Sequence, residues 1–524
     1  MAGLAGKRGG SAVCAHQTPP TSCMHVITAA AKRASMWRRS YHAALLLLLL
    51  RHGITGAGHE AFPAIPRAGR CIEGARPVEV GIVGGGIAGL ALARALQLAG
   101  HGRFSASVFE RDPSFRFRRQ GYALTIQQGS AALDRLGLLS KVQDEDVECS
   151  GMHYVFDRDG GILGCFGPGL QPKKQREHAK RRNWHLPRER LRDILYTSLL
   201  PGTVKWGHRL VAMRACRSTG GLCWRAEEGQ LQQIALEFDG GDAGRSVRKF
   251  DVVVGADGIR SEVRRLWGDD AGRGLQYLQT MVILGISPSQ TGEEGGHPLL
   301  DGQCQCSSEE GITRGEGAPV FQTVDGMTRM YCMPFNRSHT FWQLSFQIEE
   351  EDALNMRGDA GALRAFALSR CGAWHRPIPD LIHATDAATI SGFPVYDRPC
   401  PPSRSPATGT WPSGSKPAGQ ANAAEEARLG AVALIGDASH PMSPFKGQGA
   451  NQALLDATAL ADALTTIAPV LAGDEADGLR FARWLERVVC VCMCVRACIC
   501  VYAIKHTYVH NKGMWCVAAI GRSS

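Results

Sequence analysis

No aspartate or glutamate precedes Glu60 in this chain of 524 residues. Nor is there an apolar run near the roughly 20 residues that a membrane-crossing helix needs; Ala43 to Leu50 falls far short. Zinc-like cysteine spacing is absent too. Nine of the 18 cysteines lie between residues 77 and 489, without a CxxC pair, and the Cys304-x-Cys306 pair lacks a second half. They read as loop or core thiols of a reducing compartment, and no metal site is expected. The body also lacks a basic surplus. Residues 1–76 hold ten Lys or Arg against two acids and so carry +8 of the formal +10, which excludes a nucleic-acid footprint in the rest.

An acid-poor, arginine-bearing leader reads as an organelle transit peptide. A second reading begins at Met36-Trp37-Arg38-Arg39, whose basic-then-apolar order is that of a signal peptide. Ala61-Phe62-Pro63 is similar to the junction of bipartite plastid leaders, so a plastid is expected ahead of a mitochondrion. If the leader is an over-extended gene prediction, the protein would be cytoplasmic. At the far end, Cys490 to Tyr502 reads CVCMCVRACICVY, as GTG and TGT codons alternate when a GT repeat is translated. Residues 490–524 are therefore expected to be translated non-coding sequence.

What is present begins at Val78. A short apolar strand runs into Gly84-Gly85-Gly86-Ile87-Ala88-Gly89, and a helix-forming stretch follows from Leu90 to Leu98. Gly84, Gly86 and Gly89 hold the GxGxxG positions: a tight turn, a close approach to pyrophosphate, and contact of helix with strand. The helix N-terminus offers unpaired N–H groups to phosphate. A second strand ends in Glu110, where an acid would bind a ribose diol. These features predict dinucleotide binding without choosing between FAD and NAD.

Two later segments follow the same strand-then-turn plan. Phe250 to Val254 leads into Gly255-Ala256-Asp257-Gly258, where the carboxylate either organises donors near a phosphate or caps the next helix. Ala431 to Ile435 leads into Gly436-Asp437-Ala438-Ser439-His440 and then Pro444-Phe445-Lys446-Gly447-Gln448-Gly449-Ala450-Asn451, ahead of an amphipathic helix from about Gln452. Asp437 can accept bonds from sugar-like hydroxyls, and the Gly447-x-Gly449 turn frees amides at a helix N-terminus.

In this order, over most of Val78 to about Arg487, the segments resemble the flavoprotein monooxygenases typified by p-hydroxybenzoate hydroxylase. The resemblance implies an α/β fold: a Rossmann-like FAD-binding domain over 77–274 and 428–489, and a mixed β-sheet substrate domain over 275–400. A low-complexity insertion is expected over 401–427, and the leader over 1–76 stands outside the fold. Gly84, Gly86, Ala88, Gly89, Glu110 and Arg111 would hold the ADP half of FAD. Asp257 and Gly258 would lie near the pyrophosphate, Asp437 at the ribityl chain, and Pro444, Gly447, Gly449, Ala450 and Asn451 beside the isoalloxazine ring. Arg188 of Arg188-Glu189-Arg190-Leu191 matches an RxxL helix start that touches the flavin side, and Arg118 or Arg119 sits where another arginine approaches FAD.

The chemistry implied is the flavin's. NADPH or NADH reduces it, O2 adds as a hydroperoxide, and an oxygen atom passes to an apolar, aromatic or isoprenoid-like small molecule by hydroxylation or epoxidation. His440 beside Asp437 invites an acid–base role, but a packing or flavin-contact histidine is the commoner outcome, so no catalytic residue is assigned. Strand-like runs at Met281–Leu284, Pro319–Gln322, Arg329–Met333 and Phe341–Phe346 would form the substrate sheet, their apolar residues serving first as core. The WxWxIP element of tryptophan-type halogenases is absent. An isoprenoid epoxidase or reductase, and a flavin-binding protein without turnover, are the other readings, the last because the family's final helix is interrupted near Arg487.

Overall fold

The computed structural model describes residues 77–100, 102–117, 122–147, 149–167, 183–215, 233–241, 244–267, 274–289, 298–301, 305–308, 311–314, 318–398 and 432–471. The leader, the 401–427 insertion, Arg118, Arg119 and the 490–524 tail lie outside them.

Short runs rich in valine and isoleucine, apolar on both faces, form strands that bury both sides of a parallel sheet. Three such runs pair in parallel in the order Val432–Leu434, Val252–Gly255, Val78–Val83, and the sheet continues in parallel through the half-buried Phe104–Phe109 to the two-residue edge strand Val204–Lys205. Val80 stands opposite Val252 on one side and Ala106 on the other. The chain thus crosses to one side of the Val78–Val83 strand and later to the other. Such a reversal opens a crevice at the carboxyl ends of the strands, where ligands of doubly wound sheets bind. All three glycine-and-carboxylate turns leave from those ends.

Helix Ile87–Gly100 covers the sheet and shares one apolar core with helix Gly449–Leu471, through Leu90, Ala91, Leu454, Ala457 and Leu460. An antiparallel layer of Arg209–Ala215, Ile234–Asp239 and Ser246–Phe250 joins a second core, in which Phe109 stacks on Phe238 at 4.2 Å between centroids.

The second domain is a seven-stranded mixed sheet, ordered Ser391–Asp397, Gln276–Pro288, His339–Gln347, Thr328–Asn336, Ala318–Val324, Cys149–Asp157, Ile162–Phe166. Its four central strands contain the runs read from the sequence. The sheet reaches beyond the expected 275–400 segment, because Cys149–Asp157 pairs in parallel with Ala318–Val324, Val320 opposite His153. No local turn signals a pairing between strands so distant in the chain. Helices Glu350–Met356, Ala360–Cys371 and Ile378–Ala384 cover one face. Trp342, Phe346 and Met330 are fully buried beneath them, and Trp342 Nε1 donates to Thr385 Oγ1 at 2.8 Å. Gly285 makes room for that indole, since a Cβ there would lie 2.4 Å from its ring. The opposite face turns towards the parallel-sheet domain and meets Tyr122 and Phe445. Among the described residues, no helix is long and apolar enough to cross a membrane.

Candidate active site

The three turns converge. Gly84 has φ +111°, and a Cβ on it would fall 2.3 Å from the Ala256 carbonyl oxygen, so the first turn rests directly on the second. Gly436 approaches Ala88, whose Cβ would lie 3.1 Å from one added to the glycine, so the third turn rests on the first. Gly89 closes helix on strand, with the Gly84 oxygen 2.0 Å from a hypothetical Cβ. Gly86, at the mouth of the helix, has nothing within 4 Å of where a Cβ would be. Backbone at a helix N-terminus therefore faces open space, as a pyrophosphate requires.

Glu110 is buried at the end of its strand, accepting from Gly85 N at 2.8 Å and Asp112 N at 3.0 Å. These bonds orient a carboxylate at the glycine turn, with Arg111 exposed next to it. Asp257 behaves differently. Its oxygens accept from Ser261 Oγ at 2.5 Å, Glu262 N at 2.7 Å and Val263 N at 3.1 Å, capping helix Glu262–Trp267. Burial raises its pKa against those bonds. Its carboxylate shapes the turn, while Gly258, at φ +84°, has nothing within 4 Å of where a Cβ would be.

Asn451 is likewise fully engaged. Its oxygen accepts from Gln127 N at 2.8 Å and Gly129 N at 3.0 Å, and its amide nitrogen donates to Thr125 O at 2.9 Å and Gly447 O at 3.1 Å. It locks the N-terminus of the long helix to strand Ala123–Ile126. Gly447 takes φ +60°, the left-handed conformation that releases the chain from the Pro444–Lys446 turn into that helix.

Asp437 is the open acid. It is solvent-accessible, makes no hydrogen bond among the described residues, and lies 4.0 Å from a Cβ built on Gly449. Protein encloses its flanks, and that enclosure raises its pKa, opposed by the charges of His440 and Arg188. An accessible carboxylate walled in by protein marks the floor of a cleft. Arg188 reaches the same cleft over the Tyr122 ring, 5.5 Å from its centroid, and its Nη1 is buried without a partner. Burial raises the pKa of Tyr122, with Arg188 opposing.

His440 faces helix Gly449–Leu471. Its Nε2 lies 2.6 Å from Asp456 Oδ2, which also accepts from Gly436 N at 3.0 Å. Burial disfavours its charge, but the bond and charge of Asp456, with the charge of Asp437, outweigh it and raise the pKa. The pair fastens the third turn to the helix behind it.

Two arginines escaped the sequence reading. Arg192 Nε donates to Gly85 O at 2.8 Å and Nη1 to Phe115 O at 3.0 Å, with its guanidinium over the Phe115 and Trp206 rings at 4.7 and 5.5 Å. Arg264 donates from Nε to Ala438 O and from Nη2 to Ser439 O, both at 2.8 Å, tying the second turn to the third. The buried side of a helix carrying arginine was the available signal; surface arginines seldom lie there.

A parallel sheet with such turns at its switch point defines a dinucleotide-binding fold. A family profile described as an FAD binding domain matches residues 77–294 and 409–479. Aurachin C monooxygenase/isomerase of Stigmatella aurantiaca is 28% identical over 388 residues, covering 73% of this chain and 80% of its own. A 3-amino-4-hydroxybenzoate 2-monooxygenase of Streptomyces cremeus is 27% identical over 414 residues, covering 78% and 85%. Among solved structures, CtdE with FAD and a substrate superposes with a TM-score of 0.60 at 15% identity, covering 85% of this chain and 94% of its own. Klebsiella pneumoniae HpxO with FAD and uric acid gives 0.54 at 19%, covering 83% and 93%. At such identities the structures speak for the fold. The chain belongs to the FAD-binding domain family of flavoprotein monooxygenases, and is an FAD-dependent oxidoreductase.

Proposed function

We propose that the protein uses NADPH or NADH and O2 to insert one oxygen atom into an aromatic small molecule held between the flavin site and the seven-stranded sheet. The observation that carries this reading is the contact of Gly84 with Ala256 and of Gly436 with Ala88, which gathers the three turns around the accessible Asp437. The residues present fit FAD. Gly86 leaves the helix mouth clear, Arg188 brings an unpartnered buried donor, and Asp437 brings an unfilled acceptor.

Gly84 to Gly89 and the helix amides would take the pyrophosphate, Glu110 the adenosine ribose, and Asp437 the ribityl hydroxyls. Arg188 and the amides from Gly447 to Ala450 would face the ring. When bound, FAD supplies the redox chemistry, accepting hydride from the nicotinamide and passing oxygen from O2 to the substrate. The chain's part is to hold charge and exclude water. The Gly449 helix N-terminus, with its fixed partial positive charge, favours negative charge placed before it by a few kcal/mol in a dry site. Tyr122, Phe445 and the apolar sheet face close the other side. Hydroxylation follows more directly than epoxidation, because Streptomyces cremeus 3-amino-4-hydroxybenzoate 2-monooxygenase is named for an aromatic acid.

The test is NAD(P)H consumption by the full chain with FAD, over a panel of phenols and aromatic acids, with 18O2 incorporation followed by mass spectrometry. Substrate-stimulated oxidation with label in the product is expected. A yellow protein that oxidises no nicotinamide with any compound would leave it a flavin binder without turnover.

A further inference from the structure

His153 is a polar side chain in an apolar neighbourhood. Its strand, Cys149–Asp157, pairs in parallel with Ala318–Val324, where His153 lies opposite Val320. On its other side the strand pairs with Ile162–Phe166, where His153 lies opposite Phe166. Val320 belongs to the apolar layer, with Val282, Leu284, Met333 and Phe341, that meets Tyr122 and Phe445. Partners in register share a face of a sheet, so the His153 side chain rises on the side of the flavin site.

The imidazole is held between two rings. It stacks on Phe166 at 4.4 Å between centroids and lies 5.9 Å from the Tyr331 ring, which packs against the same apolar layer. Burial first and the charge of Arg329 second push its pKa down to about 4, so the ring is neutral at physiological pH. One nitrogen then donates and the other accepts. Arg329 is engaged elsewhere, its Nε donating to Gln322 Oε1 at 2.7 Å.

No protein group completes His153. Neither ring nitrogen makes a hydrogen bond among the described residues, and Nε2 is buried without a partner. By contrast His185, His208, His375 and His440 each have a protein oxygen in hydrogen-bond reach. A buried polar atom left unpaired is costly, so the partner of Nε2 comes from outside the chain. The surroundings describe that partner. Phe166 and Tyr331 suit a flat ring, and a neutral imidazole suits a group that both donates and accepts without charge, as a hydroxyl does.

We propose that His153 is a specificity-determining residue of the substrate pocket, its Nε2 forming a hydrogen bond with a hydroxyl of the aromatic substrate. This rests on the flavin-site reading above. The full chain loaded with FAD is titrated with dihydroxynaphthalenes and dihydroxybiphenyls, and with the monohydroxy parent of each, following the flavin absorption bands. A site built around a hydrogen bond rejects the analogue that leaves its own group unpaired. The second hydroxyl is expected to tighten binding about tenfold in at least one pair, ~1.4 kcal/mol. His153→Phe keeps a stacked ring and is expected to erase that gain by weakening the dihydroxy compound alone. His153→Gln, which carries an amide near the place of Nε2, is expected to retain part of it. No gain from the second hydroxyl in any pair, or a gain that survives in His153→Phe, would overturn the assignment. So would equal weakening of both members of a pair, which is what a merely structural histidine gives. Flavin content, measured before titration, separates the two readings. A folded chain without FAD overturns the flavin site and this residue's role with it, whereas a yellow chain blind to the second hydroxyl overturns the role of His153 alone.

Discussion

Gly84 and Ala256 are in backbone contact although 172 positions apart, close enough that any side chain at 84 would collide with the Ala256 carbonyl at 2.3 Å. Gly86, two residues on, faces nothing. The two glycines should therefore fail differently. Gly84→Ala combines that collision with an unfavourable φ and is expected to lower the melting temperature with or without FAD. Gly86→Ala is expected to leave the apoprotein's melting temperature unchanged while weakening FAD about tenfold, ~1.4 kcal/mol. Thermal melts and fluorescence titration with FAD distinguish them; equal loss of stability in both would contradict the assignment.

Asn451 holds four backbone groups, three between Thr125 and Gly129 and the fourth at Gly447. Asn451→Ala strands Gln127 N and Gly129 N, and is expected to cost about 3 kcal/mol, since each buried unsatisfied group costs roughly 1–3 kcal/mol. Urea denaturation measures it. A change below about 0.5 kcal/mol would show that water replaces the amide.

The parallel fold was legible because its strands are continuous apolar runs and its turns carry glycine where only backbone fits. Gly84 and Gly89 show this in their contacts. The role of a side chain within a turn was less legible. Asp257 and Asp437 occupy similar places after strands, yet one caps a helix and the other stands open, because only Asp257 is followed by a helix starting within reach of its oxygens. Arg192 and Arg264 were missed because a buried arginine looks, in sequence, like any basic residue on a helix. The strand Cys149–Asp157 joined the second sheet through parallel pairing, which leaves no local trace.

Arg192 bridges the glycine turn to Phe115. Arg192→Lys keeps the charge but lacks the fork that reaches both carbonyls. It is expected to weaken FAD and lower stability by about 1.5–3 kcal/mol, the range for charge-assisted bonds. The FAD dissociation constant and a denaturation curve report both; an unchanged dissociation constant would show that the turn holds its shape unaided.

His440 gives a pH signature. Its native pKa lies above the ordinary 6.5, burial being outweighed by Asp456 and Asp437. Its contribution is complete below the unfolded pKa and disappears as pH rises through the native one. The stability gap between wild type and His440→Asn should thus narrow as pH rises from below the ordinary 6.5 through the raised native pKa. A gap constant across that range would mean that the imidazole is neutral throughout.

The most direct test of the central claim is the flavin content of the purified, folded full chain, by absorption spectrum and by mass spectrometry of the released cofactor. One FAD per chain, reduced to a minor fraction in Asp437→Ala and Gly86→Ala together, is the expected result. A folded, colourless chain that takes up no added FAD would contradict the account.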